Sequence, residues 1–292
     1  MGNKTKEKLQ RLPHWLLKPI PQGKHLFEVE KLLYDLCLNT VCQDAKCPNL
    51  GECFSRRRAT FMIMGNICTR NCRFCAIESG IPGSLMPDEP DRVAKAVKAL
   101  ELSHVVITSV TRDDLPDGGA EHFASTIFAI HKTVPNAKVE VLVPDFGGFT
   151  EAIRVVLRAK PDIFSHNLET IPKFYSIVRP KANYNRSLGI LRAVKEIDDT
   201  ILTKSGMMLG LGESKEQILN VMKDLRQAKC DFLTLGQYLP PSRDHLPLVR
   251  FIHPDEFIKL KIQGDQMGFR GIMAGPLVRS SYNADELIKN GK

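Results

Sequence analysis

Short apolar runs and longer amphipathic stretches alternate along most of this 292-residue chain. The runs are rich in β-branched residues and predict strands; they begin at Ala59, His104, Lys138, Asp162, Ile201 and Asp231. The stretches that follow place apolar residues on one helical face, and they predict helices over 88–101, 120–132, 150–158, 187–196, 214–227 and 254–266. Strands that alternate with helices in this way predict parallel pairing through right-handed crossovers.

Polar residues cluster directly after each predicted strand. They are the cysteines after the first strand, residues 108–114, Asp145, Asn167 with Glu169, residues 210–213, and Gln237 with Tyr238. A doubly wound sheet and a barrel both fit the element order, but in a barrel these loops converge on one rim, where active sites lie. We therefore predict an α/β fold with a partial (β/α)6 TIM-like barrel over 58–268. An N-terminal extension (1–57) and a C-terminal tail (269–292) are expected to cover the barrel mouth.

Six of the eight cysteines form two triplets, which are the strongest chemical signal in the chain. Cys42, Cys47 and Cys53 have the spacing C-x4-C-x5-C, and Cys68, Cys72 and Cys75 have the spacing C-x3-C-x2-C. Three thiolates can hold three irons of a cubane and leave the fourth iron open for chemistry, whereas four cysteines suit electron transfer. The two remaining cysteines stand alone and are interpreted as ordinary thiols.

Structural zinc and disulfides are the alternatives for these cysteines. Zinc requires four ligands, usually as paired C-x2-C or Cys/His sets, and here only Cys72 and Cys75 have that spacing. Disulfides belong to oxidising compartments. The N-terminus is charged and lacks a signal peptide, and no apolar run is long enough for a bilayer, so a cytoplasmic protein is expected.

The formal net charge of +8 indicates an anionic partner or cofactor. Nucleic acid is the weaker interpretation, because the basic residues are dispersed and no binding module is visible. Anionic cofactors account for part of the excess, and an acidic protein partner is favoured for the rest.

The second triplet, with Phe74 before its last cysteine, resembles the signature of the radical S-adenosylmethionine (SAM) enzymes. The resemblance then narrows to the lipoyl synthase family. It rests on the upstream C-x4-C-x5-C triplet, CTRNCRFC, TSVTRDDLPDGGA, SHNLET, GLGES, GQYLPPS and AGPLVRSSY. These segments occur in order from Cys42 to Tyr282, and the ordered set is far more specific than any single piece.

The resemblance implies two [4Fe-4S] clusters and SAM as cofactors. The cluster on Cys68, Cys72 and Cys75 would bind SAM and generate a 5′-deoxyadenosyl radical. That radical would abstract hydrogen from C6 and C8 of an octanoyl group on a carrier-protein lysine. The auxiliary cluster on Cys42, Cys47 and Cys53 would donate the two sulfurs. The implied partners are octanoylated carrier domains, either E2 subunits of 2-oxoacid dehydrogenases or the glycine cleavage H protein, and a reduced electron donor.

The same resemblance suggests further site residues. In the family, a serine of the RSSY tail ligates the auxiliary cluster. Ser280 and Ser281 are the candidates here, and we predict that Ser281 is the ligand. Phe74, Thr108, Asn167 and Glu169 are predicted SAM contacts, although each could equally serve loop or strand-end hydrogen bonding. Gly118 with Gly119 and Gly210 with Gly212 could allow close approach to the cofactor. Arg279 is a candidate for orienting the substrate amide, and Arg112 to Asp114 form a charged loop.

The chain departs from the family pattern at Asn283, where His is frequent, and we interpret this as a tolerated change. An iron–sulfur electron carrier would explain the cysteines but not the six strand–helix units. A biotin-synthase-like sulfur insertion would take its auxiliary ligands from barrel strands rather than from an N-terminal triplet. An RNA-modifying enzyme lacks support, because no RNA-binding appendage is present. Histidines such as His104 and His166 are expected to be structural.

Overall fold

The computed structural model describes residues 11–18, 24–289 and 291. The strands in this part are β1 (Asn39–Thr40), β2 (Thr60–Ile63), β3 (Ile67–Cys68), β4 (Glu78–Ser79), β5 (His104–Ser109), β6 (Lys138–Leu142), β7 (Ile163–Ser165), β8 (Leu202–Leu209), β9 (Phe232–Gln237) and β10 (Gly271–Gly275). The α-helices are α1 (Lys24–Asp35), α2 (Val41–Asp44), α3 (Leu50–Ser55), α4 (Glu89–Ala99), α5 (Ala120–Thr133), α6 (Thr150–Arg158), α7 (Tyr175–Val178), α8 (Tyr184–Ile197), α9 (Lys215–Gln227), α10 (Pro254–Gln266) and α11 (Ala284–Lys289). Short 3-10 turns occur at His14–Leu16, Phe146–Gly148 and Pro172–Phe174.

The main sheet has the order β1-β2-β5-β6-β7-β8-β9-β10, and β3 and β4 form a separate small pair. Strand β1 pairs antiparallel with β2, and every later pair in this order is parallel. The parallel strands therefore follow one another in chain order, without the reversal that a doubly wound sheet needs. This single winding, left open between the edge strands β1 and β10, confirms the partial barrel.

The six predicted strand–helix units are confirmed, and the helices α6 and α10 have the expected bounds. Strand β10 was not expected, because the tail after Phe269 was placed outside the repeat. Its residues 271–275 pair in parallel with β9. The sequence GIMAG has glycine at both ends and no β-branched residue except Ile272, so its pattern gave little strand signal.

Alternation along β5 shows how the barrel separates its core from its interior. Val105 and Ile107 are fully buried in a cluster shared with side chains of α4, α5 and α6. His104, Val106 and Thr108, on the opposite face, line an internal cavity. The helices therefore cover the outer face of the sheet, and the inner face is left for polar and functional side chains.

An ion pair lies inside the barrel between Glu140 of β6 and Lys204 of β8, with Lys204 Nζ 2.5 Å from Glu140 Oε1. Both side chains are essentially inaccessible to solvent. Ser165 donates to the same carboxylate at 3.0 Å, and His104 Nε2 lies 3.4 Å from its other oxygen. The expected structural role of His104 is thereby confirmed.

No helix within the described residues is long and apolar enough to cross a membrane.

Candidate active site

A cavity of about 550 Å³ lies inside the barrel and extends from the carboxyl ends of the strands to Thr60 and His104, the first residues of β2 and β5. Strand-end residues such as Thr108, Leu142 and Asn167 form one part of its wall. The N-terminal segment contributes all three cysteines of the first triplet, and the tail contributes residues 278–285. The extension and the tail thus line this cavity together, and they meet near the amino end of β2, where Cys42 lies beside Thr60 and Arg58 bonds to Asn283. That the two segments cover the barrel mouth stays a prediction.

The first triplet is carried by two short helices and the turn between them. Cys42 lies on α2, which Thr40 caps by accepting a hydrogen bond from the Gln43 amide at 3.3 Å. Cys47 lies in the turn, with its amide 3.1 Å from the Cys42 carbonyl, and Cys53 lies on α3. Burial raises the pKa of the Cys42 thiol to about 12 and that of Cys53 to about 11, and the neighbouring Cys47 adds to both shifts.

The second triplet begins at Cys68, the last residue of β3, and continues with Cys72 and Cys75 in the loop that follows. Cys68 Sγ accepts a hydrogen bond from the Thr111 amide at 3.3 Å. Cys75 faces the cavity, and burial, together with Cys72 and Cys68, raises the pKa of its thiol to about 12. Burial also raises the pKa of Cys72, which Arg179 opposes. The structure therefore brings the three thiols into electrostatic reach of one another.

Each triplet supplies the three thiols that a [4Fe-4S] cubane with one open iron needs. The described residues contain no group of three or more His, Cys, Asp or Glu placed to hold one metal ion. A cubane has no such requirement, because each cysteine binds a different iron. Thiols with a raised pKa carry a proton in the metal-free protein, and iron binding must displace it.

An arginine inside the second cysteine motif fixes that loop to the barrel. Arg70 bonds to both carboxylate oxygens of Asp113 at 2.7 Å and to Asp145 at 2.7 Å. Asp145 is completely buried and also pairs with Arg186 at 2.7 Å. Burial alone would raise the pKa of Asp145, but Arg70 lowers it to about 2. Two buried charges thus connect the cysteine loop to the ends of β5 and β6.

Asn167 and Glu169 follow β7 and form a polar wall of the cavity. Asn167 Nδ2 donates to Glu169 Oε1 at 2.9 Å, and Asn167 Oδ1 is buried without a partner among the described residues. Glu169 has a φ of +66°, a strained conformation for a non-glycine residue. Burial raises the pKa of Glu169, against the effect of Arg179 and Arg279. A buried acceptor without a partner, next to a residue with a strained backbone, fits a site for a polar ligand.

The other predicted SAM contacts also reach the cavity. Thr108 Oγ1 donates to the Leu142 carbonyl at 2.8 Å, so its hydroxyl is left only as an acceptor. Phe74 lines the cavity and packs near Tyr238 and Leu246. Its backbone is held by the loop around it, since the Arg73 amide donates to the Val178 carbonyl at 2.9 Å.

The tail presents two serines in different ways. Ser280 Oγ accepts a hydrogen bond from Asn167 Nδ2 at 2.7 Å. The hydroxyl of Ser281 has no partner within the described residues and lines the same cavity as the first triplet. Arg279 lies within electrostatic reach of both Cys47 and Glu169, and burial lowers its pKa. Its guanidinium thus lies near both the first cysteine triplet and the Glu169 wall of the cavity.

Some predicted residues do not reach the cavity. A side chain at Gly119 would collide with Met64, and one at Gly210 would collide with Gln237, so packing within the protein requires these glycines. Both have positive φ. Arg112 is buried and pairs with Asp114 at 2.7 Å. His166 is fully enclosed, bonded to the Val143 carbonyl and Ser187, and burial lowers its pKa to about 4, which confirms a structural role.

Arg179 is a site residue that the sequence did not reveal. Its Nη1 donates to the Asn167 carbonyl at 2.8 Å, and its charge acts on both Cys72 and Glu169. The residue follows α7 in an irregular segment that carries no motif. Its reach to Cys72, which is distant in the chain, is created only by the folded structure.

Comparison with known proteins finds matching families and close to full-length relatives. Residues 62–225 match the radical SAM superfamily, and residues 2–47 match the N-terminal domain of lipoyl synthase of the radical SAM family. The chain is 58% identical over 275 residues to the lipoyl synthase of Caldanaerobacter subterraneus subsp. tengcongensis, covering 94% of this chain and 96% of that protein. It is 53% identical to the lipoyl synthase of Caldicellulosiruptor saccharolyticus, covering 95% and 97%.

Solved structures show the same fold at low sequence identity. HydG, a maturase of the [FeFe]-hydrogenase, aligns with a TM-score of 0.60 at 16% identity, over 79% of this chain and 54% of that chain. Methylornithine synthase (PylB) aligns with a TM-score of 0.53 at 13% identity, over 83% and 69%. From the near full-length relatives, this chain belongs to the lipoyl synthase family of the radical SAM superfamily.

Proposed function

We propose that this enzyme inserts sulfur at C6 and C8 of an octanoyl group that is amide-linked to a lysine of a carrier domain. The observation that carries the proposal is the meeting of three elements at one cavity. Residues of both cysteine triplets and the RSSY tail line its wall together. A radical site and a sulfur source must both reach the same acyl chain, and a shared cavity permits this.

We assign the radical-generating cluster to Cys68, Cys72 and Cys75. The auxiliary cluster is assigned to Cys42, Cys47, Cys53 and Ser281. When bound, the first cluster with SAM supplies the 5′-deoxyadenosyl radical and the auxiliary cluster supplies sulfur. The free hydroxyl of Ser281 supports its choice over Ser280, whose oxygen already accepts from Asn167.

SAM is assigned to the wall formed by Phe74, Thr108, Asn167 and Glu169. Asn167 Oδ1 is a buried acceptor, suited to a hydroxyl or ammonium donor of the ligand. Thr108 Oγ1 can accept a further hydrogen bond, since its proton is directed to Leu142. The Glu169 carboxylate supplies the negative charge that an ammonium group would need.

The remaining cavity residues would receive the acyl chain and exclude water. Leu142, Met207 and Met208 give the wall an apolar portion, which suits a hydrocarbon chain and protects a reactive radical from solvent. Arg279 could then donate from its guanidinium to the substrate amide. The carrier would be an E2 subunit of a 2-oxoacid dehydrogenase or the glycine cleavage H protein, with a separate reduced protein as electron donor.

The same scheme gives each part of the chain a role. Residues 1–57 would carry auxiliary-cluster ligands, residues 58–268 the radical SAM barrel, and residues 269–292 the tail with the RSSY motif. Strand β10 attaches that tail to the barrel edge. The tail is thereby held close to the strand ends that bind SAM in this proposal.

A substrate competition tests the proposal. The anaerobically loaded enzyme is given SAM, a reductant and either an octanoyl-lysine carrier peptide or dethiobiotin. We expect SAM cleavage and a thiolated product only with the peptide. Conversion of dethiobiotin would assign the biotin-type reaction instead. Absence of SAM cleavage from a fully loaded, reducible protein would leave an electron carrier.

A further inference from the structure

Four hydrogen bonds connect the N-terminal cysteine segment to the tail that carries Ser281. Asn49 Nδ2 donates to the Leu277 carbonyl at 2.7 Å, and the Tyr282 hydroxyl donates to Glu52 Oε1 at 2.9 Å. Arg58 donates to Asn283 Oδ1 at 3.1 Å and to Asp285 Oδ2 at 2.9 Å. Every tail partner thus lies within a few residues of the predicted serine ligand.

The residues on both sides of Ser281 have hydrogen-bonded side chains. Ser280, just before it, is held by Asn167 at the barrel rim, and Tyr282, just after it, is held by Glu52. The Ser281 hydroxyl itself has no partner within the described residues and lines the cavity of the first triplet. The backbone of Ser281 is therefore fixed from both ends while its side-chain oxygen stays available.

Helix α3 and its N-cap carry two of the four tail contacts together with a cluster ligand. Asn49 is its N-cap residue, and Glu52 directly precedes Cys53. Lys18 reinforces this arrangement, because it donates to Asn49 Oδ1 at 2.6 Å and to Glu52 Oε2 at 2.7 Å. Asn49 is only 1% exposed, so its contact with the tail is well shielded from water. Moving α3 relative to the tail would break the hydrogen bonds from Asn49 to Leu277 and from Tyr282 to Glu52.

Asn283 has a conformation that explains why this residue is suited to its position. Its φ of +47° lies in the left-handed region, where Asn is among the most favourable non-glycine residues. Its carbonyl accepts from the Glu286 amide at 3.0 Å at the start of α11. Asn283 therefore turns the chain into α11 and at the same time offers Oδ1 to Arg58.

From these contacts we propose that Glu52 and Arg58 are positioning residues that hold the tail so that Ser281 faces the auxiliary cluster. Glu52 acts through Tyr282, and Arg58 acts through Asn283 and Asp285. The inference rests on the proposed ligand role of Ser281. It adds that the stretch from Cys42 to Arg58 supplies both the cysteines and the groups that position the fourth ligand.

The test uses a Cys68→Ala/Cys72→Ala/Cys75→Ala background, in which only the auxiliary cluster forms. Tyr282→Phe removes one hydroxyl, and Arg58→Gln removes the ion pair with the tail. Arg57→Gln is the matched control, because Arg57 is adjacent and pairs with Glu28 at 3.1 Å rather than with the tail. Iron content and Mössbauer spectra report the fourth iron, and amide hydrogen exchange of the cluster-free protein reports tail docking.

We expect Tyr282→Phe, which loses one charge-assisted hydrogen bond, to speed amide exchange over 280–286 by about tenfold. Arg58→Gln loses two hydrogen bonds to the tail and should speed exchange at least as much. Exchange in α9 should stay unchanged, which separates positioning from general destabilisation. Iron content should fall from four towards three per protein, as for Ser281→Ala, and Arg57→Gln should change neither readout. Unchanged tail exchange and iron content in both variants would overturn the positioning role. If Ser281→Ala leaves the iron spectrum intact, the serine-ligand proposal itself fails, while faster tail exchange would still establish the docking contacts.

Discussion

The amide of Asn167 joins the barrel to the tail, because its Nδ2 donates to Ser280 Oγ at 2.7 Å and to Glu169 Oε1 at 2.9 Å. One side chain at the end of β7 thus contacts the predicted SAM wall and the predicted auxiliary-cluster tail. Its Oδ1 is left as a buried acceptor for a ligand. The two predicted cofactor sites therefore share a hydrogen-bonded wall rather than lying in separate pockets.

Replacement of Asn167 by Ala should weaken SAM binding. The change removes the buried acceptor and frees both Ser280 and Glu169, so we expect the dissociation constant for SAM to rise by about tenfold. Equilibrium dialysis of the loaded protein measures this. Asn220→Ala, an exposed change on α9, is the control and should bind SAM as the parent does. Equal affinity in both variants would remove Asn167 from the SAM site.

Replacement of Asp145 by Asn should loosen the second cysteine loop. Arg70 is 7% exposed and would lose its fully buried partner, and breaking such a pair costs about 3–5 kcal/mol. We expect a lower free energy of unfolding in urea and poor iron loading when the first triplet is replaced by Ala. Asp265→Asn, which breaks a surface pair with Lys261, should cost no more than about 0.5 kcal/mol. Full loading and normal stability in Asp145→Asn would contradict the bracing role of Arg70.

The Glu140–Lys204 ion pair inside the barrel should make the free energy of unfolding depend on pH in the acidic range. Burial alone would raise the pKa of Glu140, but Lys204 and His104 lower it from its ordinary 4.5 to about 2. Because the folded pKa is the lower one, the unfolded chain binds more protons in this window. The stabilisation is fully present above 4.5 and is lost as the pH falls from 4.5 towards 2. Urea unfolding of the cluster-free protein across that window measures the loss.

The matched variant for this pH dependence is Glu140→Leu/Lys204→Met, which replaces both charges by apolar groups. Such replacements of buried pairs are often neutral or stabilising, so the double variant should fold. It should lose less stability than the parent between about pH 5 and about pH 3, because one carboxylate no longer titrates. A loss as large as that of the parent would show that Glu140 does not contribute to the acid sensitivity.

The barrel was predictable because each strand and helix has its own local pattern. β5 alternates residues that face the helices with residues that face the cavity, and α6 and α10 have the bounds that apolar spacing predicted. Strand β10 lacked such a pattern, since a short glycine-flanked segment becomes a strand only by pairing with β9. Tertiary pairing, rather than local preference, decided that element.

The candidate site was predictable only where motif spacing carries chemistry. The two cysteine triplets could be identified by their spacing, and the tail serines by their motif. The pairing of Arg70 with Asp145 could not, because different barrel loops bring the two residues together. Arg179 could not either, because it carries no motif and its reach to Cys72 exists only in the fold. The contacts of Glu52 and Arg58 with the tail span more than two hundred residues, as in Tyr282 to Glu52 with a separation of 230. No local pattern signals such contacts.

Single-turnover mass spectrometry with labelled sulfur tests the central claim most directly. The enzyme is reconstituted with heavy-isotope sulfide, desalted, and given SAM, a reductant and the octanoyl-lysine carrier peptide. The account predicts a peptide mass gain that matches two heavy sulfurs, because each of two C–H bonds becomes C–S–H in the dithiol product that the reductant maintains. No gain is expected when Cys42, Cys47 or Cys53 is replaced by Ala. An unlabelled product, or a labelled product from the Cys53→Ala variant, would contradict the first triplet as the sulfur source.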